Sequence, residues 1–214
     1  MIALPVDKAE LKVLDVKSFE SIENKNALRR LFKEKRESFD VTNATSEALT
    51  RNLLKVLSTQ NKDKYWATYK AYKSEANPAA VESMVNISWC YPVVDGETLS
   101  FYPNENQQWT LNHFGIEEPS LKEQKIELSE IEGVLLPAIA FDLDGQRLGS
   151  GKAFYDKTLK NFSGLKIGVA YSVQITESLP NTEYDIPVDV IVTEKAIFEI
   201  NKEKLAKIQE RKAL

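Results

Sequence analysis

Between residues 141 and 159 the chain reads FDLDGQRLGSGKAFYDKTL. This run sets an aspartate, an arginine, three glycines, a lysine and a Tyr-Asp pair between an apolar stretch and a helix-like segment. Gly145, Gly149 and Gly151 allow the backbone to turn tightly and to bring its N–H groups against an anion. Arg147 contributes a fixed planar cation and Lys152 a mobile one, while Asp156 offers a hard oxygen ligand suited to Mg²⁺. A helix expected to start near Ala153 would turn its positive end toward the same anion. The chemistry implied is the wrapping of a polyphosphate and its divalent cation by residues 144–156. The run fits neither the G-x-x-x-x-G-K-[ST] phosphate loop nor the G-x-G-x-x-G dinucleotide fingerprint. A glycine-rich turn between strand and helix is by itself common, so its specificity lies in the particular string.

The elements that must position this loop can be read from periodicity. Residues 22–39 carry Ile22, Leu28, Leu31 and Phe32 on one helical face, with lysines and arginines elsewhere. A second helix fits 45–57, with Leu49, Leu53, Leu54 and Leu57 inward. Aromatic and β-branched residues predict a strand over 65–69. Asn77-Pro78 opens a further helix. Residues 87–91 and 99–102 form a strand pair turned at Asp95-Gly96. The nearly continuous apolar run 133–140 predicts a strand buried on both faces, as do 166–171 and 188–193, and 201–212 predicts a closing helix. Strands alternating with helices predict an α/β fold with a mostly parallel sheet and helices on both faces. Ligands of such sheets bind beyond the carboxyl ends of the strands, which is where the loop after 133–140 falls. No repeat or low-complexity linker interrupts the chain, so one domain is expected over 21–214. Residues 1–20 form an extension that either docks as an edge strand or remains a partly ordered tail.

Composition narrows the classes. The chain has 214 residues, enough for a substantial core, with 43% hydrophobic and 28% charged residues, as in ordinary globular domains. The net charge of −4 and the Glu34 and Glu37 that interrupt the basic run 29–36 argue against a nucleic-acid binder. Cys90 is the only cysteine, which rules out an internal disulfide, and its apolar surroundings predict a buried thiol. No apolar run is long enough to span a bilayer, and the first residues lack the basic leader and apolar stretch of a signal peptide. A cytoplasmic location is the expectation. His113, the lone histidine, has no Cys or His companions and makes a poor metal site. Trp66, Trp89 and Trp109 are expected in packing roles.

The string DGQRLGSGKAFYD closely resembles the signature of the 5-formyltetrahydrofolate cyclo-ligase family, approximately G-x-R-L-G-x-G-[GK]-G-Y-Y-D. Other pieces follow in order. KNALRRLFKEKR (25–36) resembles the family's opening helix with its K-x-x-x-R pair and a later arginine. FGIEEP (114–119), LLPAIAFD (135–142), IGVAYSVQ (167–174) and LPNTEYDIPVDVIVTE (179–194) resemble further family segments. The resemblance covers most of the chain from residue 25 to about residue 200.

That resemblance implies a three-layer Rossmann-like fold and a defined reaction. ATP activates the N5-formyl group of 5-formyltetrahydrofolate, N10 closes the ring, and 5,10-methenyltetrahydrofolate, ADP and phosphate result. It implies ATP-binding roles for Lys25, Arg29, Gly145, Arg147, Leu148, Gly149, Gly151, Lys152, Phe154, Tyr155 and Asp156. Arg147, Lys152 and Tyr155 become catalytic residues. Asp156 and Asp189 match Mg²⁺-associated carboxylates, and Glu75 and Tyr155 match substrate contacts. The expected ligands are therefore ATP, Mg²⁺ and a reduced folate, on a monomer or homodimer with no nucleic-acid or membrane partner. Three positions depart from the pattern: Ala153 replaces a loop glycine, Phe154 a tyrosine, and Tyr184 a histidine. These leave open a divergent, non-catalytic relative that binds nucleotide or folate, and an ATP-using enzyme acting on a different formylated or amide compound.

Overall fold

The computed structural model describes residues 22–57 and 64–210; the extension over 1–20 lies outside the described residues. Its frame is a seven-stranded sheet in the order β12-β11-β9-β6-β1-β2-β3. β1 (Tyr65–Ala67), β2 (Ser88–Asp95), β6 (Ile131–Pro137), β9 (Leu165–Val169) and β11 (Val190–Val192) run parallel. The two edges, β3 (Thr98–Pro103) and β12 (Ile197–Glu199), are antiparallel hairpin partners of β2 and β11. The chain builds outward from β1 toward β2, then returns to the other side of β1 through β6. The strand order thus reverses between β1 and β6, and a crevice opens there beyond their carboxyl ends.

Each face of the sheet has its own apolar cover. On one side α2 (Asn43–Leu57) presents Leu49, Leu53, Val56 and Leu57, a stripe at helical spacing, against Trp66, Leu135, Ile167 and Val190. The Thr42 hydroxyl caps α2 by accepting the Thr45 N–H at 3.2 Å. Short α3 (Ala79–Glu82) and α5 (Lys202–Glu210) join that layer through Val81 and Leu205. The other side is covered by α4 (Phe154–Thr158) with the Leu159 and Phe162 that follow it, and by a small sheet. That sheet pairs β7 (Ala140–Asp142) with β8 (Arg147–Leu148) and β10 (Ile175–Thr176).

The apolar run 133–140 is therefore not one strand. β6 stops at Pro137, and after Ala138 and Ile139 the chain re-enters strand geometry in the small sheet. The break is filled from both sides: Gln174 donates to the Ala138 and Ile139 carbonyls, and the buried Arg36 donates to that of Ala138. Helix α1 (Ile22–Glu37) then packs Leu28 and Phe32 on Ile139, Ala140 and Leu148. Leu31, expected on that face, is 37% exposed, and Arg36 takes the next inward position. A two-stranded arm, β4 (Trp109–Leu111) with β5 (Glu117–Pro119), reaches over the carboxyl ends from β3. No helix among the described residues is long and apolar enough to cross a membrane.

Gly133 in β6 is fixed by packing: a Cβ there would stand 2.2 Å from the fully buried ring of Trp66. Gly133→Ala should destabilise the protein by about 2 kcal/mol through overpacking, read as a lower denaturant midpoint at unchanged slope.

Candidate active site

The crevice between β1 and β6 is a cleft of about 510 Å³, within the usual range for small-molecule sites. Its walls come from α1, the segments after β1 and β6, the β4–β5 arm, and the run from β8 into α4. One half is cationic. Lys25, Arg29, Lys33 and Arg36 recur at helical spacing, so α1 presents all four to the cleft. Arg29 Nε donates to the Gly149 carbonyl at 2.9 Å, tying the helix to the loop that faces it. Gly151 lies under the same guanidinium with φ of +103°, a conformation that excludes other side chains without strain.

Two ion pairs balance that charge. Arg147 meets Asp156 at 2.8 Å, with side chains only 6% and 14% exposed. Lys25 meets Asp185 at 2.7 Å. The second Asp156 oxygen accepts the Ile186 N–H at 3.2 Å, which draws the 182–186 segment against α4. Burial alone would raise the Asp185 carboxyl, but hydrogen bonds from Lys25 and Thr182 outweigh it and hold that group below its ordinary value. Lys152 extends over the Phe114 ring at 5.7 Å.

The other half is aromatic. Tyr69, Tyr72, Tyr91, Phe114, Phe154 and Tyr155 line it. Phe114 and Phe154 meet edge-on at 6.4 Å, and the Arg147 guanidinium lies 5.5 Å from the Tyr155 ring. Lys70 is held over Tyr91 and Trp109 at 4.6 and 4.1 Å. At the floor stands Glu75, whose carboxylate accepts the Tyr72 N–H at 3.0 Å. Burial pushes its carboxyl above the ordinary range, against the opposing pull of the Tyr72 N–H and Arg36. Burial also raises the Tyr155 hydroxyl, which stays protonated at neutral pH.

Every expected site residue lines this cleft except Gly145 and Asp189. Gly145 instead turns the β7–β8 hairpin, with φ of +84° and the Val188 carbonyl against it, and the buried carboxylate of Asp142 secures that turn by accepting the Asp144, Gln146 and Leu179 N–H groups. Asp189 precedes β11 at the amino end of the sheet. There Lys204 and Lys166 pair with it at 2.9 and 3.3 Å, so it is not paired with Asp156. Among the described residues, the aspartate that does share the cleft with Asp156 is Asp185. Sequence reasoning missed it because two aspartates four residues apart look alike until the start of β11 is known. It also missed the aromatic arm and Arg36. The expected helix begins at Phe154 and spans only five residues, so its dipole contributes little. Ala153 takes the left-handed conformation, φ 55°. Cys90, Trp66 and Trp89 are core residues, and His113 sits exposed with its ring 3.7 Å from that of Phe114.

The family model described as the 5-formyltetrahydrofolate cyclo-ligase family matches residues 21–194. The chain belongs to that family. It is 35% identical over 113 residues to the 5-formyltetrahydrofolate cyclo-ligase of Escherichia coli K12, a match that takes in 51% of this chain and 62% of that one. Among solved structures, the 5,10-methenyltetrahydrofolate synthetase of Aquifex aeolicus superposes with a TM-score of 0.72 at 34% identity, covering 83% of this chain and 93% of that one. The Mycoplasma pneumoniae 5,10-methenyltetrahydrofolate synthetase gives 0.65 at 26% identity, covering 80% and 99%. The cyclo-ligase fold is thus shared over most of the described chain.

Two outcomes test this geometry. Ala153→Gly should stabilise the protein by about 0.5–1 kcal/mol, because a left-handed alanine carries a steric cost that glycine lacks; thermal unfolding reads it. Asp185, held below its unfolded value, contributes stability that is present at higher pH and lost as pH falls through the folded value. Lys25→Met should therefore cost the most stability at neutral pH and progressively less as the pH falls through the range where Asp185 takes up its proton, read as denaturant midpoints across pH.

Proposed function

We propose that the protein is an ATP-dependent cyclo-ligase that converts 5-formyltetrahydrofolate to 5,10-methenyltetrahydrofolate with release of ADP and phosphate. The observation that carries this reading is one cleft joining a cationic loop to an aromatic slot floored by a carboxylate. A nucleotide polyphosphate suits the first half and a reduced pterin the second. Family membership and the names of its relatives support the same activity.

The formyl amide oxygen is a poor leaving group and needs activation before N10 can displace it. Transfer of the terminal phosphoryl group of ATP to that oxygen breaks the bond to ADP and makes the formyl carbon electrophilic. The N10 lone pair then attacks that carbon within the same molecule, phosphate departs with the oxygen, and N10 releases its proton. Ring closure is intramolecular, so holding the folate in one pose supplies much of the rate. Arg29, Arg147 and Lys152, with the backbone of 149–152, would stabilise charge on the transferring group. Tyr155, a protonated hydroxyl beside Arg147, would donate at the junction of the two halves. Glu75 would accept hydrogen bonds from N–H groups of the pterin.

Asp156 and Asp185 would hold Mg²⁺, a cation that takes one or two carboxylates and completes its shell with water and phosphate oxygens. When bound, that ion supplies neutralising charge across the phosphates. Both carboxylates line the cleft, each beside a cation that could turn to phosphate. We infer a cytoplasmic location as well, in keeping with the single, buried thiol of Cys90.

Purified protein with Mg-ATP should convert 5-formyltetrahydrofolate to the ultraviolet-absorbing methenyl product with stoichiometric ADP. Arg147→Ala and Asp156→Ala should each lower kcat/KM by about 100-fold or more. Binding of nucleotide and folate without turnover would replace this reading with a non-catalytic relative. ATP hydrolysis with another formylated compound, but not this one, would replace the substrate.

A further inference from the structure

Arg36 stands at the end of α1 with 7% of its surface exposed, yet it lines the cleft. Its Nε donates to the Ser74 hydroxyl at 3.1 Å, and its Nη1 donates to the Ala138 carbonyl at 3.3 Å. The same Nη1 lies 3.9 Å from Glu75 Oε1. Ser74 and Glu75 belong to the segment after β1, and Ala138 to the segment after β6. One guanidinium therefore spans the two lips of the crevice where the strand order reverses. Each lip is separately tied down: Tyr69 donates to the Ala76 carbonyl at 2.5 Å, and Gln174 donates to that of Ala138 at 2.8 Å. Only arginine has a planar fork that can satisfy two such acceptors and still present charge to a carboxylate.

We propose that Arg36 is a positioning residue for the ligase reaction, acting through Glu75: it fixes the carboxylate at the cleft floor and keeps it ionised for the pterin. This rests on the proposed function and deepens it. The need for such a device follows from the surroundings of Glu75. Arg36 from α1, Tyr69 and Tyr72 from the segment after β1, and Tyr155 from α4 are the charged and titratable groups that face it. Among the described residues, Arg36 is the cation that pairs with its carboxylate. A carboxylate in this setting loses its charge at higher pH once that cation is removed, and a protonated Glu75 cannot accept as many hydrogen bonds from the pterin N–H groups.

The test is steady-state kinetics with 5-formyltetrahydrofolate and Mg-ATP across pH 5–9 for wild type, Arg36→Lys, Arg36→Met and Arg36→Met in a Glu75→Gln background, alongside calorimetric binding of 5-formyltetrahydrofolate. Arg36→Met should raise the folate KM and Kd about tenfold, leave the KM for ATP within about twofold, and move the acid limb of kcat/KM to higher pH. Arg36→Lys should return the limb toward wild type. In the Glu75→Gln background the Arg36→Met change should move no limb. Equal losses for both substrates, or an unmoved acid limb, would reduce Arg36 to a packing residue and overturn the proposal. If Arg36→Met fails to fold by circular dichroism, Arg36→Gln decides: a selective rise in folate KM with the acid limb moved to higher pH upholds the proposal, and a wild-type KM and limb overturn it. A wild-type protein that neither turns over nor binds this folate defeats the proposed function first, and this inference with it.

Discussion

The contact between Arg147 and Asp156 governs the arrangement around it. Both groups are largely withdrawn from water, so neither tolerates standing alone. Their pairing joins β8 to α4 across the intervening loop and thereby sets the path of 149–153. Through its other oxygen, Asp156 also takes the Ile186 N–H, which brings Asp185 and its partner Lys25 to the same wall. Such a pair adds little to net stability, since desolvation offsets much of the Coulomb gain. Its effect is positional. A ligand that brings both phosphate and a divalent cation would give each member a new partner of opposite charge. A ligand bringing phosphate alone would leave a half-buried carboxylate uncompensated.

That wall faces a floor made by topology. The sheet reverses its order between β1 and β6, so the chains leaving these strands diverge and leave a gap that no crossover covers. The opposite, amino edge is closed by different means. There Asp189 is surrounded by Lys166 and Lys204, and Lys204 also donates to the Gly164 carbonyl, fastening α5 to the sheet. The two edges use similar residue types for different ends: ion pairs lining a cleft at one, and a buried carboxylate held by two lysines at the other.

The core strands and the first two helices were legible because each follows from one dominant local signal, whereas Lys25 and Arg29 were marked only by the family resemblance. Apolar runs marked β6, β9 and β11, and helical periodicity marked α1 and α2. Errors arose where a distant side chain decides the outcome. Nothing near residue 138 announces that Arg36 and Gln174 will end β6 there, so 133–140 reads as one strand. Asp185 and Asp189 differ only in how far they precede β11, a boundary that local propensity places within a few residues at best. The β4–β5 arm is short and partly polar, and only its placement over the carboxyl ends makes Phe114 part of the cleft.

The three departures from the family pattern now separate by location. Tyr184 is 72% exposed and does not line the cleft, so its ring can differ without altering the cavity wall. Ala153 changes backbone energy: it holds the left-handed geometry a glycine would adopt freely, and the fold bears that cost locally. Phe154 does face the cavity, where it meets Phe114 from the arm. A hydroxyl there would have to find a partner or remain hydrated. Phenylalanine removes that requirement and lets the arm close against α4 through an apolar edge-to-face contact. Of the two that line the cleft, Ala153 adds a methyl group to the loop and Phe154 takes a hydroxyl away from the wall.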